Sequence, residues 1–377
     1  MKKLRTMLLT LLATLSFVSC GDGTMTADEI KAKCESGVVM VVNQYYYKVT
    51  LPSSDAVWYF TGFDADGDLD NWTTDVNEVM KNRPMLTGTA FFVSPDGKLL
   101  TNRHVANPAI KLSDTKKSIR QLLYAISELA KAEMQNLSQR YNQLEAAKED
   151  CYSYNPYDGC IYQDNATLQR IAQEQAQLEQ SFNEAEEIKE QALTVDLSDL
   201  RVETVSDISI AYNNTYVTKI TDLAPCVVTA VSDDEDVDLA MLQLKNKKTP
   251  EDKYVFDVMG ENDDRGLVEK VKGLLSSSDD DELKVEQKLY MIGFNAGFQL
   301  SNTQQGIKAQ ITNGTISQNP DKDKIMYTIP SLPGSSGSPV VNDHGRLVAV
   351  NFAGVSGTQG FNYGIQIQQV RKFFKEH

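Results

Sequence analysis

A mainly β chain interrupted by a long α-helical hairpin is the fold class that the sequence predicts, and three observations carry it. Val38 to Val42 and Tyr45 to Leu51 are dense in β-branched and aromatic residues, as strands are. From Ser113 the apolar residues change period to three- and four-residue steps, the signature of a helix with one apolar seam. From Leu193 onward strand patterns return, most clearly at Val227 to Val231 and Leu239 to Leu244.

Each element follows in order. Residues 86 to 105 read as strand, Pro95-Asp96-Gly97 turn and strand, with His104 at the end of the second strand. Ile119, Leu123, Ile126, Ala130, Met134, Leu137, Tyr141 and Leu144 form the first helical seam, and Leu168, Ile171, Leu178, Phe182, Ala185 and Ile188 the second. Two seams joined by a short loop make an antiparallel hairpin whose first helix, 113 to 148, would be about 54 Å long at 1.5 Å per residue. Residues 245 to 284, which include Ser276 to Glu282, read as a solvated acidic insertion. Leu289 to Phe294 restarts the strands, and Gln368 to Glu376 reads as a final helix. Asp64 to Asn71 partly matches a calcium loop, but Leu69 stands where the sharp turn needs Gly, so it is read as an acidic hairpin tip.

Composition narrows the function. A formal charge of −15 argues against nucleic acid or an anionic membrane face as partner. Lys2, Lys3 and Arg5 followed by the apolar run Met7 to Val18 form an export signal, the run being too short to span a bilayer. Phe17-Val18-Ser19-Cys20-Gly21 resembles a bacterial lipobox, which implies lipidation at Cys20 and a membrane-anchored protein of the bacterial cell envelope, periplasmic or surface-exposed. Export favours disulfides, so Cys151 and Cys160 are expected to pair across their short loop, while Cys34 with Cys226 is left open. With three His and no Cys-x-x-Cys, neither a metal nor another cofactor is expected.

The chemistry concentrates in Pro333-Gly334-Ser335-Ser336-Gly337-Ser338-Pro339. A serine hydroxyl becomes a useful nucleophile only with a base to take its proton and donors to receive the oxyanion. Flanking glycines let the backbone turn sharply and free the amides of Gly334 and Ser336 to point at one spot. Gly354-Val355-Ser356-Gly357 offers a second Gly-x-Ser-Gly, but no Pro follows it. His344 lies in a turn and His377 is the last residue, which leaves His104 as the base.

Gly334 to Pro339 resembles the Gly-x-Ser-Gly-x-Pro pattern of chymotrypsin-like serine proteases, most closely the bacterial glutamyl endopeptidases. Thr101-Asn102-Arg103-His104-Val105, with Gly88 to Val93 before it, resembles the catalytic-histidine segment of DegP-type proteases. Asp236-Val237-Asp238-Leu239-Ala240-Met241-Leu242 resembles the Asp-Leu-Ala-x-Leu segment of the same enzymes and picks out Asp238. The order His, Asp, Ser is that of the chymotrypsin fold.

The resemblance implies a chymotrypsin-like double β-barrel with the helical hairpin inserted: signal 1–20, tether 21–36, first barrel 37–111 and 193–245, hairpin 112–192, acidic insertion 246–284, second barrel and final helix 285–377. It implies a serine endopeptidase acting on proteins or peptides, with His104, Asp238 and Ser336 as triad and Gly334 and Ser336 as oxyanion donors. A substrate pocket would lie near Pro330, Asn351, Phe352, Ala353, Gly354 and Asn362, with no charge to select Glu or Lys/Arg. No PDZ module is expected, and Ser335 replaces the Asp that pairs with a freed N-terminus in trypsin-type enzymes. The alternative is an inactive protease fold that serves as a scaffold, its helical arm binding a protein partner.

Overall fold

The computed structural model describes residues 24–234, 236–260, 283–321, 323–354 and 361–377. Two compact units emerge, one made of Met1–Tyr45, Pro84–Ala109 and Ser206–His377, the other of Tyr46–Arg83 and Ile110–Val205. Two of the four boundaries of the second unit, at Tyr45/Tyr46 and Val205/Ser206, fall inside strands.

The first unit is built around two main sheets, beside a two-stranded pair at Asn302–Thr303 and Gly306–Ile307. The first sheet comprises β1 (Val38–Leu51), β2 (Met85–Phe92), β3 (Lys98–Thr101), β4 (Arg201–Tyr212), β5 (Ala224–Val231) and β6 (Ala240–Leu244). Their order is β1-β2-β3-β6-β5-β4, and β4 returns to β1, which closes the sheet; a seventh strand, Ala56–Phe60, pairs with Tyr47–Leu51 at the end of β1. The second comprises β7 (Lys288–Gly293), β8 (Gln310–Thr315), β9 (Lys324–Tyr327), β10 (Pro339–Asn342), β11 (Leu347–Gly354) and β12 (Asn362–Gln366). Its order, β8-β7-β10-β11-β12-β9, is returned from β9 toward β8 by the bridge Ile316 to Tyr327. Read as a cycle, each sheet joins its first strand to its second and fourth, and its third to its second and sixth. The same topology used twice is the chymotrypsin-like double barrel.

Closure suits these sequences because a barrel leaves no exposed sheet edge, so strands as apolar as Val38 to Val42 can be buried on both faces. Alternate residues of β1 serve different cores. Val38, Met40 and Val42 join one with Phe91, Met241, Tyr290 and Val350, whereas Val39 and Val41 join another with Phe92, Leu99 and Leu242. The final helix, Ile367–Glu376, starts one residue earlier than predicted and buries Ile367, Val370 and Phe373.

Several expectations need correction. Residues 21–36 are not all tether: Ala27–Cys34 is a helix, α1, capped by Thr26 and Glu29, with Ile30 and Cys34 fully buried. Residues 254–258 are not solvated, since Phe256 and Val258 lie in the core and the Phe256 amide donates to the Phe92 carbonyl at 2.8 Å. The rest of the acidic insertion, from 261 to 282, lies outside the described residues, as does Cys20.

The second unit contains the helical hairpin, α2 (Leu112–Ala147) and α3 (Asn165–Thr194). All eight residues of the first predicted seam are buried or half-buried. In the second, Ile171, Leu178 and Ala185 are buried but Ile188 is half exposed, and Ala192 closes the seam instead. Residues 46–83, assigned above to the first barrel, cluster with these helices, and Ser118 Oγ donates to the Gly67 carbonyl at 2.6 Å. The acidic stretch is a hairpin tip as read: Gly62–Phe63 pairs with Leu69–Asp70, and Asp64 accepts from the amides of Asp66 and Asp68.

Cys151 and Cys160 are both free, contrary to the expected disulfide. They bracket a small β-hairpin in which Tyr152 faces Gln163 and Asn155 faces Cys160. Cys160 thus lies at the turn and Cys151 at the base, four residue steps or about 13 Å apart along the strands, well beyond the reach of an S–S bond. Cys34 and Cys226 are also free and lie in separate cores.

Candidate active site

The site lies wholly in the first unit. β3 ends at Thr101 and passes into a four-residue helix, Arg103–Ala106, that carries His104. This helix is pinned by a buried side chain of β1, since Asn43 Nδ2 donates to the carbonyls of Val105 at 2.9 Å and Ala106 at 3.3 Å. Asp238 lies two residues before β6, which pairs with β3, so the sheet itself brings aspartate and histidine together.

Asp238 grips His104 twice. Its Oδ2 lies 2.6 Å from the imidazole Nδ1, and its Oδ1 accepts the His104 amide at 3.0 Å. Asn102 adds a third tie, donating to the Asp238 carbonyl at 2.8 Å. A carboxylate on Nδ1 fixes ring orientation and tautomer, which leaves Nε2 to exchange a proton with a nucleophile. The imidazole is 44% exposed while the carboxylate is only 17% exposed, so the working edge of the ring faces outward.

Ser336 lies at the apex of a turn between β9 and β10. Gly334 and Gly337 flank it with φ of +99° and +87°. Both need glycine on two counts: the left-handed backbone, and a space in which an added Cβ would stand 2.5 Å from the Phe294 carbonyl oxygen or 2.1 Å from that of Thr89. Among the described residues the amides of Gly334 and Ser336 donate to no acceptor in the protein, whereas those of Ser335, Gly337 and Ser338 are bonded to the carbonyls of Leu332, Asn351 and Ser335. Two unpaired N–H groups beside a half-buried serine can receive a developing oxyanion.

The turn and the histidine segment meet through Thr101, whose Cα lies 3.1 Å from the position a Gly337 Cβ would take. Among the described residues Ser336 Oγ makes no hydrogen bond, to His104 or to any other group. Catalytic hydrogen bonds of this kind often tighten only when substrate arrives.

The expected pocket residues divide. Pro330 is exposed and Phe352 half-buried. Asn351 is 1% exposed, its amide donating to the Ser335 carbonyl at 3.0 Å and its Oδ1 accepting from Tyr327 OH at 2.8 Å. Asn362 is also buried and donates to the Ile329 carbonyl at 2.5 Å. Both side chains are committed to the protein itself. Burial pushes the Tyr327 phenol well above its ordinary range, so it stays a neutral donor to Asn351. Ala353 and Gly354 continue β11, pairing with Tyr363 and Asn362. Ser356 lies outside the described residues. His344 pairs with its neighbour Asp343 at 2.8 Å in the turn between β10 and β11.

Sequence reasoning missed Asn43, Thr89, Tyr327 and the structural role of Asn351. Their common signal is a hydrogen-bonding side chain inside an apolar strand run, where burial demands a partner. Among the described residues no cluster of His, Cys, Asp or Glu could hold a metal, and no helix is long and apolar enough to cross a membrane.

Residues 199–350 match the family model described as trypsin-like peptidase domain. That span includes Asp238 and Ser336, while His104 precedes it on the far side of the helical hairpin. Among solved structures, the serine endoprotease from Yersinia pestis is 12% identical with a TM-score of 0.41, over 93% of this chain and 66% of that one. The chain thus spans slightly less than two thirds of that protein's length. No curated protein matches.

Proposed function

We propose that this chain, which carries a trypsin-like peptidase domain, is an exported, lipid-anchored serine endopeptidase. The observation that supports it most is the His104 to Asp238 pair, 2.6 Å at Nδ1, in the same compact unit as a glycine-bounded serine with two unbonded amides beside it. Ser336 attacks a peptide carbonyl while His104 Nε2 takes its proton. Asp238 holds the ring and stabilises its cation, and the Gly334 and Ser336 amides receive the oxyanion. His104 then protonates the departing amine, and water cleaves the acyl-enzyme by the reverse route.

Substrates are proteins or peptides. The neutral Asn351 and Asn362 give no basis for selecting a charged side chain, so cleavage should favour uncharged residues before the scissile bond. Lipidation at Cys20 would hold the enzyme at a membrane of the cell envelope. There the helical unit is free to recruit a protein partner or substrate.

A peptide-library digest tests the activity. Wild type should cleave after uncharged residues and His104→Ala should be at least about 10³-fold slower. Equal cleavage by both would remove His104 from the mechanism, and no cleavage by either would favour the inactive scaffold. Anchoring is tested separately, because Cys20→Ser should move the protein from the membrane to the soluble fraction.

A further inference from the structure

Thr89 is fully buried in the middle of β2, a threonine in a strand where Ala90, Phe91 and Phe92 are all core. Its backbone and side chain reach across to a turn some 245 positions later in the chain. The Thr89 amide donates to the Ser336 carbonyl at 2.8 Å. Its hydroxyl donates to the Gly334 carbonyl at 2.8 Å and accepts the Phe294 amide at 3.0 Å. Its carbonyl accepts from Thr101 Oγ1 at 2.7 Å, which ties the same residue to the strand that leads into His104.

We propose that Thr89 is the positioning residue of the oxyanion site: one residue of the first barrel, through its hydroxyl on the Gly334 carbonyl and its amide on the Ser336 carbonyl, sets the peptide planes of the turn in the second. This rests on the serine-peptidase reading above. The two carbonyls it holds belong to Gly334 and Ser336, the residues whose amides would receive the oxyanion. Holding the Gly334 carbonyl fixes ψ at a glycine, where no Cβ restrains the backbone. Holding the Ser336 carbonyl does the same on the other side of the nucleophile. The hydroxyl is suited to this task because it both donates and accepts, and the Phe294 amide occupies its acceptor side.

An ion pair is not needed here. Ser335, where trypsin-type enzymes carry a charged residue, is held by neutral groups: its hydroxyl lies 2.7 Å from both Ser331 Oγ and the Leu332 carbonyl, and its own carbonyl accepts from Asn351. The clamp at Thr89 therefore works on a turn with no charge to orient it, and a variant that keeps the shape but loses the hydroxyl isolates its contribution.

Thr89→Val and Thr89→Ser of the full chain make that comparison. Thr89→Val should lower kcat about 10- to 100-fold with KM nearly unchanged, less than the loss of an oxyanion donor itself. Its affinity for a peptidyl trifluoromethyl ketone, which forms a tetrahedral adduct, should fall by the same factor. Thr89→Ser should recover most of both. In the crystal structure of Thr89→Val the Gly334 carbonyl should have turned from its present direction. If Thr89→Val fails to fold, Thr89→Ala against Thr89→Ser, which differ by the hydroxyl alone, replaces it. Wild-type kcat in the hydroxyl-free variant, no recovery with serine, or an unmoved turn would each overturn the proposal. An inactive wild type would instead sink the peptidase reading, and the direction of the Gly334 carbonyl would still decide whether Thr89 sets the turn.

Discussion

The two compact units reach order by different routes. In the barrel unit the decisive bonds join residues far apart in the chain, such as Thr89 to Gly334 or Asn43 to Val105, and the side chains that make them are buried. In the helical unit the backbone bonds of the two long helices are local. Its helices meet along a shallow seam, with Leu129 left 71% exposed and an ion pair from Arg140 to Glu174 at 2.5 Å on its solvated flank. Long-range, buried polar contacts demand one residue at each position, whereas a helical seam asks only for an apolar residue of about the right size. The barrel unit should therefore be brittle to substitution and the helical unit tolerant.

The largest contrast is expected at paired groups. Asp238→Asn should lower kcat roughly 10³- to 10⁴-fold, because the amide stabilises the wrong imidazole tautomer and cannot balance its cation. Glu174→Gln, which breaks the exposed pair in the helical unit, should leave both turnover and the thermal midpoint unchanged. Comparable losses from the two variants would erase the distinction.

A pair of glycines gives the next test. Gly337 and Gly159 both have positive φ, +87° and +65°. An alanine Cβ at Gly337 would stand 2.1 Å from the Thr89 carbonyl oxygen, while nothing lies within 4 Å at Gly159. Gly159→Ala should cost only backbone strain, about 1 to 2 kcal/mol. Gly337→Ala adds a steric clash and should cost about 3 kcal/mol or more, with loss of peptidase activity. Denaturant titration of the two variants would settle the order.

The smallest contrast is at the thiols. Burial pushes Cys34 up to about 11 and Cys226 up to about 12 from 9.0, while Cys160 of the helical unit is exposed. At pH 8 iodoacetamide should label Cys160 in the native protein and spare Cys34 and Cys226. Both raised thiols are neutral, and their contribution to stability is fully present, below pH 9. As pH rises above 9 the unfolded chain loses these protons first, so stability should fall progressively toward pH 12. A thermal midpoint unchanged between pH 8 and pH 10.5 would argue against that burial.

Legibility in the sequence follows the same division. The helical seams could be read because period alone reports them, and only the last position, Ile188, failed where Ala192 took its place. The strands and the histidine, aspartate and serine segments were readable because turn chemistry and local motifs announce them. What pairs across a small hairpin was not: Cys151 and Cys160 look close in number, yet strand register sets them at opposite ends. Phe256 was hidden inside a polar stretch that its contact with Phe91 and its amide bond to the Phe92 carbonyl explain. Thr89 and Asn351 were equally silent, since a buried polar side chain reveals its purpose only when its distant partner is known.

The central claim is that Ser336 is the nucleophile, and covalent labelling tests it most directly. A peptidyl diphenyl phosphonate incubated with the full chain should modify one residue, found by peptide mass mapping on the segment containing Ser336. Labelling should vanish in Ser336→Ala, fall sharply in His104→Ala, and persist in Ser356→Ala. Modification of Ser356, or equal labelling of wild type and Ser336→Ala, would contradict the account.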